Sequence, residues 1–363
     1  MSPHHLPKET ALRYPWKQPW NPGFSGLSDP TNPIVYDEKT ENQQNVTKQT
    51  PHGSDVHQIE RRYKHFPGNN VFFLGGRFQM STQFKAFALT LFALLFPGVL
   101  FFVFSAFWLW HHVSPAIPIT FSYIYALVLV SMLKCSTSDP GILPRNSNIL
   151  IYDPTHPWSV IPEDKRILVG STRSDSAFLI TTVYCHTCRL YRPPRASHCH
   201  LCDNCVEYLD HHCTWLNNCI GRRNYRYYFI FLLSLFFEAL YLTVLGFYIA
   251  FASFRYGSDV NFARHLQRPW AGVSFFLGIY AALGSIFPGI LLGYQCYLIG
   301  CGQNVHEFLR SKNTETEDFR PYHNSVWINF LTVLCRPKNV SYVRPRRKEM
   351  LKKLHSSAFS SVS

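Results

Sequence analysis

A cysteine- and histidine-rich stretch at residues 185–219 constrains the fold more than any other part of the sequence. It holds seven of the eleven cysteines in the 363-residue chain. Two four-residue sets in it share one spacing, C-x2-C-x9-H-x6-C, and the second set begins fourteen residues after the first. The two sets are Cys185, Cys188, His198 and Cys205, and Cys199, Cys202, His212 and Cys219.

This repeat predicts two zinc ions per chain, because a tetrahedral zinc site takes four cysteine or histidine ligands. The two ligand sets interleave, since Cys205 of the first set lies beyond Cys199, where the second set begins. Four protein ligands close each site, which is typical of structural rather than catalytic zinc. Cysteines grouped as ligands also indicate a reducing cytosolic setting rather than a disulfide framework.

One cysteine of the stretch, Cys213, belongs to neither set. It follows the ligand His212 directly, and Asp210 and the unassigned His211 come just before it. The thiolate is the reactive form of cysteine, and a neighbouring imidazole can generate it. We therefore interpret Cys213 as a nucleophile. The alternative, a spare thiol in a zinc module, leaves the grouping of Asp, His and Cys unexplained.

The run Asp210-His211-His212-Cys213 resembles the signature of the DHHC protein S-acyltransferases. The flanking matches include C-x2-C at 185–188, Arg-Pro-Pro-Arg at 192–195, Trp215, Asn-Cys-Ile-Gly at 218–221 and Asn224. Further matches are the Gly- and Phe-rich segment 68–79 and Asp-Pro-Gly at 139–141. Two departures are Tyr228, where the family usually has Phe, and Thr-Glu-Thr-Glu at 314–317, where the family has Thr-Thr-x-Glu.

The resemblance implies an enzyme that takes a long-chain acyl group, typically palmitoyl, from acyl-CoA and passes it to a protein cysteine. The acyl group would be held on Cys213, with His211 as the base and Asp210 fixing its tautomer. Arg192 and Arg195 are candidates for binding the phosphates of palmitoyl-CoA, because guanidinium pairs well with phosphate. A plain surface charge on the zinc module is an equal alternative for both arginines.

Within the family, the resemblance is greatest to fungal members that palmitoylate Ras-type GTPases. Those enzymes work at the endoplasmic reticulum with a small accessory subunit. The resemblance therefore implies Ras-type GTPases as substrates, a small accessory subunit as partner and the endoplasmic reticulum membrane as location, with the Golgi membrane as second choice.

Four apolar runs predict transmembrane helices, at residues 86–110, 115–133, 227–254 and 270–299. Each reaches the roughly 20 residues that a helix needs to cross a hydrocarbon core of ~30 Å. The cysteine-rich stretch lies between the second and third runs. Pro97, Pro118 and Pro288 lie inside three of the runs and are expected to kink those helices.

The distribution of charge predicts how these helices are oriented. The net charge is +13, and the basic residues concentrate in the two tails and in the central segment. The loop between the first and second runs, residues 111–114, contains no Lys or Arg. Because cytosolic loops carry the excess of Lys and Arg, both termini and the cysteine-rich domain are expected in the cytosol. No nucleic-acid-binding motif accompanies the positive charge, which favours a lipid bilayer and excludes nucleic acid as the partner.

The predicted protein is an α-helical integral membrane protein, with four transmembrane helices and a cytosolic two-zinc cysteine-rich domain between the second and third. The predicted segments are a disordered tail at 1–66, an interfacial segment with the first two helices at 67–135, the cysteine-rich domain at 136–226, the last two helices at 227–299, and a C-terminal region with an amphipathic segment and a basic tail at 300–363.

Two other functions remain open from the residues alone. One is a membrane-anchored zinc module that binds proteins, or a RING-like ubiquitin ligase, since RING domains also interleave two zinc sites. The other is a channel or transporter, which would explain the four apolar runs. Neither requires the additional Asp-His-x-Cys grouping that ends at Cys213.

Overall fold

The computed structural model describes residues 58–146, 165–170, 177–256, 261–312, 325–337 and 340–351. Residues 1–57 of the predicted disordered tail lie outside the described residues. The Thr-Glu-Thr-Glu segment at 314–317 lies outside them as well.

Four helical segments of the described chain are long and apolar enough to cross a membrane, as the sequence predicts. The first combines α1 (Phe84–Leu100), a π-helical turn (Phe101–Ser105) and α2 (Ala106–His112). The others are α3 (Ala116–Thr137), α4 (Tyr225–Tyr256) and α6 (Pro269–Gly300). The cysteine-rich region lies between α3 and α4, so the predicted fold class is confirmed.

The prolines in the spans differ in their effect on the backbone. Pro97 lies inside α1, where proline removes a hydrogen bond and crowds the preceding turn. A π-helical turn begins four residues later, at Phe101, so the first span is not a regular α-helix throughout. Pro118 instead lies in the first turn of α3, where the missing N–H has no intrahelical partner, so the kink expected there is not required.

Small residues allow α4 and α6 to pack closely. A Cβ atom added to Gly246 in α4 would lie 2.4 Å from the carbonyl oxygen of Ser274 and 2.7 Å from the nitrogen of Gly278, both in α6. The hydroxyl of Ser274 also lies 2.7 Å from that of Ser105 in the first span. Close backbone contact and interhelical hydrogen bonds are the main sources of helix association in lipid.

The cysteine-rich region contains three short β-hairpins in tandem. Their strands are β6 (Tyr184–Cys185) with β7 (Leu190–Tyr191), β8 (Ser197–Cys199) with β9 (Asn204–Val206), and β10 (His211–Cys213) with β11 (Asn218–Ile220). Each turns through one residue with a positive φ, which is 51° at Arg189, 51° at Asp203 and 50° at Asn217. These turn residues recur every fourteen positions, which is also the distance between the two ligand sets. The hairpin conformation therefore repeats with the same period as the ligands.

Shorter elements complete the described chain. A hairpin of β2 (Val71–Phe73) and β3 (Phe78–Met80) precedes α1, largely within the Gly- and Phe-rich segment 68–79. A second hairpin pairs β4 (Lys165–Gly170) with β5 (Ala177–Thr182). The short helices are α5 (Phe262–His265), α7 (Val305–Lys312) and α8 (Val326–Leu334), of which α8 forms most of the predicted amphipathic segment.

Residues 58–66 differ from the disorder predicted for the whole of 1–66. Strand β1 (Gln58–Arg61) pairs with β12 (Lys348–Leu351) in antiparallel fashion, and a 3-10 helix (Arg62–His65) follows. The N–H groups of Arg62 and Tyr63 donate to the carbonyls of Arg347 and Pro345. Composition does not reveal this pairing, because the partner strand lies at the opposite end of the chain.

Replacing Gly246 by alanine is expected to destabilise the packing of α4 against α6. The added Cβ would overlap backbone atoms of Ser274 and Gly278, which cannot move aside without separating the helices. Overpacking of this kind costs about 1–3 kcal/mol. The measurement is thermal unfolding in detergent. Gly293→Ala is the matched control, since no atom lies within 4 Å of its added Cβ. Equal midpoints for both variants would contradict the close contact.

Candidate active site and metal centres

The two predicted ligand sets come together as two separate clusters. In each cluster, one donor atom from each of the three cysteines and from the histidine lies within 4.8 Å of all the others. All six ligand cysteines are buried. The clusters are Cys185, Cys188, His198 and Cys205, and Cys199, Cys202, His212 and Cys219, and each could hold a metal ion.

The hairpins explain how the ligand sets interleave. Side chains alternate between the two faces of a strand, so the adjacent residues His198 and Cys199 on β8 serve different clusters. Across the β8–β9 pair, His198 lies opposite Cys205, and across the β10–β11 pair, His212 lies opposite Cys219. Each cluster is therefore fixed by one cross-strand His–Cys pair and by a C-x2-C pair from the preceding hairpin.

The distances between donor atoms fit a tetrahedral metal. Nδ1 of His212 lies 3.6, 3.4 and 3.5 Å from the Sγ atoms of Cys199, Cys202 and Cys219. A sulfur bonded at about 2.3 Å and a nitrogen bonded at about 2.0 Å to one tetrahedral zinc lie about 3.5 Å apart. Ionisation of one thiol opposes ionisation of its neighbour: a hydrogen bond with Cys202 lowers the pKa of Cys199, and the same pairing raises the pKa of Cys202 to about 12. A cation that binds all three as thiolates removes this opposition.

Strand β10 separates a member of the second cluster from the residues on either side of it. His212 belongs to the second cluster, and His211 and Cys213 flank it along the strand. Because successive side chains point to opposite faces, His211 and Cys213 share the face that His212 does not use. Cys213 is 9 % exposed and belongs to a hydrophobic cluster with Val128 and Phe231 from the spans.

Asp210 and His211 form a hydrogen-bonded pair beside Cys213. Nδ1 of His211 donates to Oδ2 of Asp210 at 2.8 Å, and the Asp210 side chain is fully buried. Burial lowers the pKa of His211, but hydrogen bonds with Asp210 and Cys213 outweigh that effect and raise the pKa to about 9. Since Asp210 holds Nδ1, the other ring nitrogen is left to take up a proton from the thiol.

Two further donors, which the sequence did not indicate, bind Asp210. The backbone N–H of Val305 donates to Oδ1 at 2.8 Å, and Nε2 of Gln295 donates to Oδ2 at 3.2 Å. Burying a carboxylate is costly unless its oxygens are hydrogen-bonded, and these donors satisfy that requirement. The site therefore extends from the cysteine-rich region to the end of α6 and the start of α7.

A cavity of about 780 Å³ lies beside Cys213. All four spans and the β10–β11 hairpin contribute to its wall, with Leu89, Phe121, Val128, Phe231, Leu235 and Leu291 among the apolar residues. One acidic residue, Glu238, also lines it. The volume falls within the range of about 300–1,000 Å³ found for small-molecule sites. An apolar cavity with a cysteine in its wall suits a hydrocarbon chain that is to be attached to that cysteine.

Comparison with known proteins agrees with this geometry. Residues 179–312 match the family model described as DHHC palmitoyltransferase. The chain is 70 % identical over 341 residues to palmitoyltransferase erf2 of Schizosaccharomyces pombe, which covers 93 % of this chain and 96 % of that protein. The chain belongs to the DHHC palmitoyltransferase family.

More distant relatives carry similar names. Over 291 residues the chain is 40 % identical to palmitoyltransferase erf2 of Emericella nidulans, covering 78 % of this chain and 48 % of that protein. Over 313 residues it is 33 % identical to human palmitoyltransferase ZDHHC14, covering 82 % and 62 %. As a DHHC palmitoyltransferase, the protein is an enzyme that transfers a palmitoyl group to protein cysteines, which sets aside the zinc-module, ubiquitin-ligase and transporter alternatives.

In this DHHC palmitoyltransferase, Arg195, one of the two arginines predicted to bind the phosphates of palmitoyl-CoA, makes several contacts within the protein. Its guanidinium donates to both carboxylate oxygens of Glu307 at 2.6 Å and to the carbonyl of Gly302 at 2.9 Å. It also lies over the ring of Tyr208, 4.1 Å from the centroid. Through these contacts the Arg195 side chain stabilises the segment that follows α6.

Residues 304–307 form the segment that contacts Asp210, next to strand β10. Asn304 and Glu307 form a capping box, in which the N–H of Glu307 donates to the Asn304 side chain at 2.7 Å and the N–H of Asn304 donates to Glu307 at 3.0 Å. This box begins α7 and places the N–H of Val305 against Asp210.

Asp203 lies behind the first cluster, and no sequence motif indicates its role there. Oδ1 of Asp203 lies 3.5 Å from Nε2 of His198, and Arg145 donates to Oδ2 of Asp203 at 2.8 Å. A carboxylate behind a metal-binding imidazole fixes the orientation of the ring. Asp203 occupies the positive-φ turn of the second hairpin, so the turn and the ligand support each other.

Removing one ligand from each cluster is expected to remove one metal at a time. Cys185→Ser and Cys199→Ser should each lower the bound metal from about two ions to about one per chain, because each four-ligand site loses a member. Elemental analysis of the purified protein is the measurement. Cys335→Ser, which changes an exposed cysteine outside both clusters, serves as the control. Loss of all metal from Cys335→Ser would contradict the assignment.

Proposed function

We propose that this enzyme uses palmitoyl-CoA as the acyl donor and Cys213 as the residue that carries the acyl group. One observation supports this most strongly. Cys213 lies at the wall of the apolar cavity and on the same face of β10 as His211. An acyl chain that enters the cavity would leave its thioester carbonyl at the end where Cys213 and His211 lie.

The transfer proceeds in two thiol exchanges. His211 takes the proton of Cys213, and the Cys213 sulfur attacks the thioester carbonyl of palmitoyl-CoA. The bond to the CoA sulfur breaks, and the CoA thiolate receives the proton from His211. The thiol of a substrate cysteine then attacks the acyl-Cys213 thioester, which forms the new thioester and restores Cys213. Asp210 keeps His211 in the tautomer and orientation that both exchanges need.

We propose zinc as the metal of both clusters. Three thiolates and one imidazole make a closed tetrahedral site of the structural type. A bound zinc would stabilise the fold of the hairpins and would leave His212 unavailable as a base. The ions take no part in the acyl transfer itself.

Arg192 is the stronger candidate for the phosphates of palmitoyl-CoA, because Glu307 already engages Arg195. The Nε atom of Arg192 is buried and has no hydrogen-bond partner among the described residues. A guanidinium group binds phosphate through parallel hydrogen bonds. This arginine therefore has the chemistry to hold the polar part of the donor while the cavity holds its acyl chain.

We propose Ras-type GTPases with membrane-proximal cysteines as substrates, together with a small accessory subunit as partner. The extensive identity to palmitoyltransferase erf2 of Schizosaccharomyces pombe supports this choice within the family. The proposed location is the endoplasmic reticulum membrane, with the Golgi membrane as second choice. Both termini would be cytosolic, which follows from the Lys and Arg distribution.

Labelling with palmitoyl-CoA tests the covalent step. Purified protein should acquire one hydroxylamine-sensitive palmitoyl group, and Cys213→Ser should acquire none while retaining both metals. Cys301→Ser, at the end of α6 and outside the clusters, should label as the unmodified protein does. Acyl transfer to a substrate cysteine by Cys213→Ser would exclude an acyl-enzyme at this position.

Replacing either of the adjacent residues His211 and His212 should impair the enzyme, but through different defects. His212→Ala is expected to lose one metal and folded protein, because metal binding is coupled to folding. His211→Ala should retain both metals but form the acyl-enzyme about 10²–10⁴-fold more slowly, as expected for a lost general base. Metal content and the rate of acyl-enzyme formation are measured side by side. Loss of metal from His211→Ala alone would show that the ligand register is displaced by one residue.

A further inference from the structure

We infer that Gln295 is a positioning residue for acyl transfer, because its side-chain amide holds Asp210 and thereby the imidazole of His211. The inference rests on the proposed function, in which His211 activates Cys213. Gln295 is a polar residue in the apolar helix α6, and only 1 % of its surface is exposed. No motif of the sequence singles it out.

The amide of Gln295 bridges two groups, one of which accepts a hydrogen bond while the other donates one. Its Nε2 donates to Oδ2 of Asp210 at 3.2 Å, and its Oε1 accepts from the hydroxyl of Tyr225 at 2.6 Å. An ionised carboxylate only accepts hydrogen bonds, so the opposite orientation of the amide would place two oxygens against each other. Tyr225 therefore fixes which end of the amide faces Asp210.

The carboxylate of Asp210 is oriented by three donors from three parts of the chain. Gln295 in α6 and His211 in β10 share Oδ2, while Val305 in α7 binds Oδ1. The terminal torsion of an aspartate has a broad energy profile, so external contacts must select its angle. Without Gln295, one side of a fully buried carboxylate loses a donor, and the direction in which Oδ2 faces His211 is no longer fixed.

Gln295 also lies where the hairpin meets the cavity. Together with His211 and Tyr228 it lines the cavity beside Cys213. The ring of Tyr228 packs edge-on against His211, with centroids 5.2 Å apart. The imidazole is therefore held by Asp210 on one side and by an aromatic ring on another, and Gln295 supports the first of these contacts from the fourth span.

The first test compares Gln295→Leu with Gln295→His. Leucine removes the donor, and the maximal rate of Cys213 acylation should fall about tenfold or more, as expected for a lost hydrogen bond to a charged group. The KM for palmitoyl-CoA and the metal content should stay within about twofold, because Gln295 acts on the imidazole rather than on donor binding. Histidine offers an N–H donor and should restore most of the rate. A rise in KM with an unchanged maximal rate would overturn the inference.

A double-mutant cycle separates positioning from general helix packing. In an Asp210→Asn background, adding Gln295→Leu should slow acylation by less than about twofold, because the two residues act through one contact. Independent, multiplicative losses would show that Gln295 acts elsewhere. If Gln295→Leu fails to fold, Tyr225→Phe provides the same test, since it removes the hydroxyl that fixes the amide. An unchanged maximal rate in Tyr225→Phe would also count against the inference.

Cys296→Ala is the matched control, because it changes the next residue of α6 without touching Asp210. It should acylate at the rate of the unmodified protein. The outcomes distinguish the two proposals. If the unmodified protein forms no acyl-enzyme at Cys213, the proposed function fails. If it does so and Gln295→Leu keeps its rate, only the positioning role of Gln295 is wrong.

Discussion

The division of side chains between the two faces of strand β10 is the constraint on which the site depends. His212 turns toward a cluster of three cysteines, and the residues on either side of it turn toward the apolar cavity. A slip of one residue in the pairing with β11 would exchange these roles. The register is held by His212 lying opposite Cys219, two members of one cluster on paired strands. A metal at this cluster would therefore fix the position of Cys213 without touching it.

The buried carboxylate of Asp210 joins the cysteine-rich region to the membrane helices. Its hydrogen-bond donors come from β10, from α6 and from the start of α7. These bonds offset the cost of burying the carboxylate and connect the three segments. The capping box at Asn304 and the ion pair between Arg195 and Glu307 keep the third segment in place. The contacts that hold the base are thus distributed over residues far apart in sequence.

The sequence predicts what is encoded locally. The C-x2-C-x9-H-x6-C spacing identified both ligand sets, and the apolar runs located the four spans to within a few residues of their ends. Contacts between distant segments leave no local pattern. Gln295 is a polar residue in an apolar helix, and nothing near it in the sequence indicates its contact with Asp210. The strand at 58–61 forms only by pairing with residues 348–351. The ion pair of Arg195 likewise depends on Glu307, which is distant in the sequence. The contact of Val305 with Asp210 is made by a backbone N–H, which any residue but proline supplies, so the side chain at that position gives no signal.

We propose that one strand presents a metal ligand to one side and an acyl-carrying thiol to a membrane-embedded cavity on the other. Cryo-electron microscopy of the enzyme trapped with an unreactive palmitoyl analogue on its nucleophile tests this most directly. The account predicts continuous density from Sγ of Cys213 into the cavity lined by the four spans, with His212 bound to a metal. Density for the chain on another cysteine, or outside the helices among the lipids, would contradict it.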